Sequence, residues 1–260
     1  MVPRVGIEPT LLAERDFESR ASTDFATEAG AVEGAILPQA PALKSAGRPP
    51  PLDSGVFAIH RILRMPPMPP ITQALLLINV AAFCVDYMLG GLLTRWFALY
   101  PIGAGFMPWQ VVTYAFLHDI HNLFHLFFNM LGLWMFGSDL ERLWGPKRFM
   151  QYYAASVLAA AAAQLVITAF FGGGATVGAS GGLFGLLLAF GMMFPNRTIM
   201  PLFPPIPMKA KVFVAIYGGL ELFLGVTGTQ QGVAHFAHLG GMLGGFLLIR
   251  YWQGRAPFGR

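Results

Sequence analysis

The chain has 260 residues, of which 55% are hydrophobic and only 12% are charged, and its mean hydropathy is +0.57. Soluble domains carry about 25% charged residues, so this composition excludes an ordinary soluble protein and predicts a membrane protein. The basic residues of the apolar part lie in short loops and at the C-terminal end, where they orient membrane spans, and they do not indicate a nucleic-acid partner.

Residues 1–64 have no sustained apolar periodicity, mix both charges and contain proline-rich stretches, which predicts a disordered tail. They also resemble the conceptual translation of a transfer-RNA gene, and we therefore expect the natural protein to begin at Met65 or Met68. The predicted organisation is this tail, a membrane domain over residues 65–253 and a short cytoplasmic tail over residues 254–260.

Six apolar segments follow the tail, and each is close to the ~20 residues that a helix needs to cross a bilayer. A connecting segment over residues 94–116, rich in Trp, Tyr, Pro and Gly, predicts an element at the membrane interface. We therefore predict an all-α membrane protein, a bundle of six transmembrane helices with an interfacial first loop. The predicted spans cover about residues 71–93, 122–140, 149–171, 177–193, 211–225 and 234–252.

The basic residues predict the orientation of these spans. Arg95 is the one basic residue in the loops on one side, whereas the loops on the other side and both ends of the domain are rich in Lys and Arg. By the positive-inside rule, both termini lie in the cytoplasm, as expected for a multi-pass protein of a bacterial inner membrane.

Three polar side chains lie near the outer ends of predicted spans: His125 in the second, Ser180 in the fourth and His238 in the sixth. Polar groups at such depth are costly and mark function by default. A serine and a histidine within hydrogen-bond reach form an activated nucleophile. Asp119 and Glu221 are the candidates for a third member, but neither has a helical spacing that puts it beside His238. The residues therefore favour a Ser-His dyad.

The polar residues stand in three short motifs, which together resemble those of the rhomboid intramembrane serine proteases. The similarity covers about residues 71–252. The motifs are Gly178-Ala-Ser180-Gly181, His125-Leu-Phe-Phe-Asn129-Met and Ala-His238-Leu-Gly-Gly241-Met-Leu-Gly-Gly245.

The resemblance implies roles for the residues of these motifs. Ser180 is the nucleophile and His238 its general base, with the spacing to Gly241 and Gly245 selecting His238 over His235. His125 and Asn129 form an oxyanion hole with the Ser180 backbone N–H. Phe184 packs against the catalytic imidazole, and the remaining supporting positions are Gly178, Gly181, Gly241 and Gly245.

The implied function is cleavage of transmembrane or membrane-anchored proteins near the periplasmic face, inside the lipid bilayer and without a metal or other cofactor. Glu141 and Gly145 match the acidic turn that follows the family's second span. Members usually have a histidine about five residues before the oxyanion histidine, but here His118 lies seven before and His121 four before. Neither receives a role, and His235 is interpreted as a packing or water-binding residue.

Two other functions are compatible with parts of the pattern. His118, His121 and His125 have helical spacing, and His235 with His238 forms His-x-x-His, which suits a metal-binding protein or a transporter. Against it, no Asp, Glu or Cys joins these histidines in the spans. A non-proteolytic rhomboid relative that binds membrane clients would lack the serine or the histidine, and both are present. The sequence indicates neither the natural substrate, nor the gate, nor the oligomeric state.

Overall fold

The computed structural model describes residues 67–202, 205–228 and 234–254, which are mostly helical. A 3-10 turn covers Tyr114–Phe116, and a π-helical segment, Leu133–Gly137, follows the helix that ends at Gly132. The predicted tails, residues 1–64 and all but the first residue of 254–260, lie outside the described residues. The helices are α1 (Pro70–Met88), α2 (Leu92–Phe97), α3 (Gln110–Thr113), α4 (Leu123–Gly132), α5 (Ser138–Phe171), α6 (Ser180–Met193), α7 (Ala210–Thr227) and α8 (His235–Trp252).

Three helical segments in the described part of the chain are long and apolar enough to cross a membrane: α1, the kinked stretch Leu123–Phe171, and α7. The helix α6 is apolar but has only 14 residues. The helix α8 has 18 residues and is less apolar, because it carries two histidines and Arg250. These helices fit a multi-pass membrane bundle.

The helix ends differ from the predicted span ends at two places. The first helix ends at Met88 rather than near Leu93, because Gly90 and Gly91 adopt left-handed φ angles of 64° and 85°. The second and third predicted spans form one helical stretch with a kink at Gly145, where φ is 76° and a proline follows. The second and third spans are therefore joined by a kink, at which the chain changes direction, and not by a loop.

The connection between the fourth and fifth predicted spans contains two short paired strands, which the all-α prediction omits. Thr198–Ile199 (β1) pairs antiparallel with Met208–Lys209 (β2). Two-residue strands leave no periodicity that a sequence could reveal.

Two buried carboxylates hold the first helix at both of its ends. At the N-terminus of α1, Glu141 from α5 accepts hydrogen bonds from the backbone N–H groups of Ile71 and Thr72, at 2.9 and 2.7 Å. These N–H groups belong to the first turn and have no partner within the helix. Near the other end, Asp86 accepts the Thr94 hydroxyl at 2.5 Å and so holds the start of α2.

The helices α5, α6 and α8 pack closely along a seam of glycines. A Cβ atom at Gly241 of α8 would overlap the backbone carbonyl of Gly181 in α6, and a Cβ at Gly181 would lie 2.5 Å from the Ala160 Cβ of α5. A Cβ at Gly245 would overlap the Tyr152 hydroxyl. Small residues at such crossings allow direct backbone contact. The seam brings the start of α6 against the start of α8.

Candidate active site

The structure brings together the serine and one of the histidines at the beginnings of two neighbouring helices. Ser180 is the first residue of α6, and His238 lies one turn into α8. The Ser180 Oγ and the His238 Nε2 are 2.8 Å apart, and the imidazole is buried, with 7% of its surface exposed. When the His238 proton is on Nδ1, Nε2 accepts the hydrogen bond that the hydroxyl donates. This is the arrangement that activates a serine as a nucleophile.

An aromatic side chain fixes the plane of the imidazole. Phe184, one turn after Ser180, stacks on His238 with ring centroids 4.3 Å apart and an angle of 8° between the planes. The ring is therefore confined on that face, so that Nε2 stays directed at the hydroxyl.

The backbone that enters α6 is held by the segment between the first two long helices. Thr176 and Leu99 exchange two backbone hydrogen bonds of 2.9 Å, and the Gly178 N–H donates to the Tyr114 carbonyl at 3.0 Å. Gly178 has a φ of 131°, and a Cβ there would lie 2.8 Å from the Nε2 of His125. Only glycine therefore fits between that imidazole and the turn leading to the serine.

Two further polar side chains, from α4, face the same cavity as the serine. The side-chain amide of Asn129 donates to the His125 carbonyl at 2.8 Å, while its Oδ1 is buried and has no partner in the described part of the chain. His125, Asn129, Ser180 and His238 all line one open cavity of about 1670 Å³. The Ser180 N–H, at the first position of α6, belongs to the N-terminal donors that lack a partner within their helix.

A carboxylate lies beside the imidazole, contrary to the prediction that neither acidic candidate could reach it. The Oε2 of Glu221, in α7, lies 2.7 Å from the Nδ1 of His235 and 2.9 Å from the Nδ1 of His238. The first contact is a hydrogen bond, whereas the second has the distance of an ion pair without the alignment of a hydrogen bond. Helical spacing relates only residues of the same helix, whereas Glu221 lies on α7 and contacts His238 on the adjacent helix α8. Asp119 remains in the loop before α4.

The same contact corrects two further interpretations. The statement that no acidic residue joins the histidines of the spans is wrong, because Glu221, His235 and His238 form one cluster. His235 is 5% exposed, and its Nδ1 is hydrogen-bonded to a carboxylate, a contact that its interpretation as a packing or water-binding residue does not include. Polar side chains in apolar spans tend to pair with one another. The signal in the sequence was therefore a glutamate in the fifth predicted span and two histidines at the start of the sixth.

The remaining histidines do not lie on one helix with His125, so their apparent helical spacing was misleading. His118 and His121 precede α4, and His121 is exposed. His118 is 1% exposed and packs edge-on against His125, with ring centroids 5.1 Å apart. Burial lowers the pKa of His118 to about 3, and the nearby His125 adds to the effect, so this ring is neutral at physiological pH.

Comparison with known proteins places these residues in a family. The family model described as the rhomboid domain matches residues 105–253, more than half of the chain. The chain belongs to the rhomboid family. The match contains all the residues of the cavity named above, and it also contains Glu221.

Several rhomboid relatives show similarity over stretches of about 140 residues. Rhomboid protein 1, mitochondrial, of Saccharomyces cerevisiae is 32% identical over 142 residues, which are 53% of this chain and 40% of the relative. The putative rhomboid protease YdcA of Bacillus subtilis is 29% identical over 54% of this chain and 65% of its own length. Rhomboid protease GluP of the same organism is 30% identical over 53% of this chain and 25% of its own length. The similarity thus spans less than two thirds of each of these relatives.

Proposed function

We propose that this rhomboid-family protein is an intramembrane serine endopeptidase, with Ser180 as the nucleophile and His238 as its general base. The 2.8 Å contact between the Ser180 Oγ and the His238 Nε2 carries the proposal. The family membership and the names of two bacterial relatives, which are called rhomboid proteases, agree with it.

The reaction follows from the direction of the hydrogen bond. As Oγ attacks the scissile carbonyl carbon, its proton passes to Nε2 of His238. The imidazolium then returns that proton to the leaving amine, which leaves an acyl-enzyme that water hydrolyses by the same route. No step requires a metal or an organic cofactor.

The oxyanion formed during attack requires hydrogen-bond donors at the serine end of the cavity. The Ser180 N–H, the Asn129 amide and the His125 ring are the donors that we assign to it. Removing one such donor typically costs about 10²–10³ in kcat, because its partner charge exists only in the transition state.

Glu221 makes the proposed dyad into a Ser-His-Glu arrangement. A carboxylate next to Nδ1 favours the tautomer with the proton on that atom, which leaves the Nε2 lone pair free for the hydroxyl. It also stabilises the imidazolium that forms during attack. We therefore assign Glu221 as a positioning residue for His238.

The length of α6 supports a reaction below the membrane surface. Its 14 residues span about 21 Å, whereas the hydrocarbon core of a bilayer is about 30 Å thick. A helix of this length cannot reach both faces. With the C-terminal end of α6 at the cytoplasmic face, the serine at its first position lies within the membrane, where water must reach it through the cavity. The proposed molecule has six spans, both termini in the cytoplasm and the cavity open towards the periplasm.

The proposed substrates are transmembrane or membrane-anchored proteins. A helical substrate hides its carbonyl groups in its own hydrogen bonds, so it must unwind locally before Ser180 can attack. Small or helix-destabilising residues near the scissile bond are therefore expected.

The decisive experiment compares Ser180→Ala and His238→Ala with the parent protein in proteoliposomes that contain a single-span substrate. Cleavage should fall by at least about a thousandfold in both variants, because the nucleophile and its base act as a unit. A serine-directed fluorophosphonate should label the parent protein at Ser180 alone.

Matched controls are Ser138→Ala, which removes a buried hydroxyl with no partner among the described residues, and His121→Ala, which removes an exposed imidazole. Both should cleave normally. Activity that survives Ser180→Ala, or that a chelator abolishes and Zn²⁺ restores, would overturn the proposed mechanism.

A further inference from the structure

Beside the serine lies a second set of converging donor atoms. A ring nitrogen of His235, a ring nitrogen of His238 and a carboxylate oxygen of Glu221 lie within 4.8 Å of one another, and both Nδ1 atoms lie within 2.9 Å of the Glu221 Oε2. The two imidazoles come from the first turn of α8 and the carboxylate from α7, and all three side chains are buried or nearly so. Two histidines and one glutamate are a set of ligands that proteins use for Zn²⁺.

The hydrogen bonds of the cluster are incomplete. The Oε2 of Glu221 faces both Nδ1 atoms but is well aligned with only that of His235. The Nδ1 of His238 is buried and points into the cluster, and its one close contact in the described regions is the Glu221 Oε2 at 2.9 Å, which lacks the alignment of a hydrogen bond. One carboxylate oxygen thus faces two ring nitrogens, an arrangement that a bound cation would satisfy.

The dimensions of the cluster suit a small divalent cation. Ligand atoms at about 2.0–2.1 Å from Zn²⁺ in a tetrahedral site lie about 3.4 Å from one another. The two nitrogen-to-oxygen distances are 2.7 and 2.9 Å, so each pair needs to separate by well under an ångström. His235 and His238 line the open cavity, which provides the entry path for the ion.

We propose that Glu221, His235 and His238 bind Zn²⁺ or a divalent transition metal of similar ligand preference, and that the bound ion inhibits the protease. The binding site stands on its own geometry, whereas the inhibition rests on the proposed function. The ion is a regulator of the active site and takes no part in peptide hydrolysis.

Inhibition follows from the position of one proton. In the metal-free site the base form of His238 carries its one proton on Nδ1, next to the carboxylate, and its Nε2 lone pair accepts the hydroxyl proton of Ser180. Coordination uses the Nδ1 lone pair, so the proton moves to Nε2 and the imidazole remains neutral. An Nε2 that already carries a proton cannot accept another while Nδ1 is coordinated. The serine therefore loses its base. Glu221, now a ligand of the ion, no longer interacts with a proton on the Nδ1 of His238.

The binding test uses the full chain carrying Ser180→Ala, purified in detergent and stripped with a chelator. Equilibrium dialysis against buffered Zn²⁺ should give one bound ion per chain. Adding His235→Ala or Glu221→Gln should weaken binding by at least about tenfold, because each removes one of three ligands. The matched control is His121→Ala, which removes an exposed histidine outside the cluster and should bind zinc like the parent.

The inhibition test measures substrate cleavage against free Zn²⁺, with each variant normalised to its own metal-free rate. The parent should lose activity with a midpoint equal to the dissociation constant from dialysis, and a chelator should restore it. His235→Ala should shift the midpoint upwards by at least about tenfold. Imidazole resonances of the Ser180→Ala protein should show Nδ1 coordination of both histidines.

The outcomes separate the two proposals. Absence of a stoichiometric ion, or equal affinity in the His235→Ala and parent proteins, would overturn the metal site even if the protein cleaves substrates. Stoichiometric binding that leaves cleavage unchanged would overturn the inhibition. A protein that binds zinc at these residues but cleaves nothing after chelation would overturn the proposed function and leave the metal site in place.

Discussion

At the scale of single residues, the direction of the His238 ring depends on two different neighbours. Phe184 fixes the plane of the ring through its stacking contact, and Glu221 fixes the charge next to Nδ1. Stacking alone allows either neutral tautomer, so the carboxylate is what favours the one that can accept the serine proton.

Glu221→Gln tests this role, because it preserves the shape of the side chain and removes its charge. We expect kcat to fall by at least about tenfold with little change in KM, since the imidazolium that the carboxylate stabilises forms only during reaction. Steady-state cleavage of a single-span substrate, measured across pH, is the readout. Glu221→Asp should recover part of the lost rate. Equal kcat in the Gln variant and the parent would show that His238 needs no carboxylate.

Asn129→Ala tests the oxyanion hole, and the chain offers a close control. Both Asn129 and Asn79 donate a side-chain amide hydrogen to the carbonyl four residues earlier, at 2.8 Å, and both have a buried Oδ1 without a partner in the described regions. Only Asn129 lines the cavity. We expect Asn129→Ala to lower kcat by about 10²–10³ with a smaller change in KM, and Asn79→Ala to affect stability alone. Equal kinetic effects would make Asn129 a structural residue.

The residues of the site differ in how far the sequence could predict them. Ser180 and His238 stand in glycine-framed motifs, and His125 stands one turn before Asn129. The structure brings these residues to one cavity. Glu221 could not be found by spacing, because its neighbour His238 lies on another helix and the contact depends on how α7 packs against α8. Distances within a helix are set by the sequence, whereas distances between helices are set by packing.

At the scale of helices, the glycine seam decides how closely α6 and α8 approach. Gly241→Ala places a methyl group against the backbone of Gly181, which cannot move as a side chain can. Overpacking typically costs about 1–3 kcal/mol, and here it also separates Ser180 from His238. We expect a lower unfolding midpoint in detergent together with a large loss of cleavage.

The matched control for the seam is Gly219→Ala, in the middle of α7. A Cβ at Gly219 would meet nothing within 4 Å, and alanine favours a helix over glycine. This variant should be as stable as the parent or slightly more stable. A Gly241→Ala protein that behaves like Gly219→Ala would show that the seam tolerates a wider separation than its geometry indicates.

The positions of the helices followed from the sequence better than their ends did. Long apolar runs predict α1, α5 and α7. The turn at Gly90 and Gly91 also lies within an apolar stretch, so the predicted first span extends beyond the end of α1. The paired strands β1 and β2 were missed because two-residue strands carry no periodicity. Glu141 was matched to a family turn, yet its function in holding the first turn of α1 depends on a contact between helices.

At the scale of the whole molecule, the proposed six-span topology can be tested by cysteine labelling, because Cys84 is the single native cysteine. In a Cys84→Ala background, single cysteines at Lys147, Gly174 and Lys209 lie at exposed positions of three different connections. A membrane-impermeant maleimide should label Gly174→Cys in spheroplasts, and Lys147→Cys and Lys209→Cys only in inverted vesicles. Labelling of all three from one side would contradict the topology.

The order of the helices along the chain also has a consequence for biosynthesis. Ribosomes deliver the N-terminal part first, at about 5–20 residues per second. Leu99 and Tyr114, which hold the backbone before Ser180, are therefore in place when α6 is inserted, whereas His238 arrives only with α8. In the proposed mechanism the hydroxyl therefore has no base beside it during insertion. We expect the nascent chain to be inactive until α8 packs against Gly181.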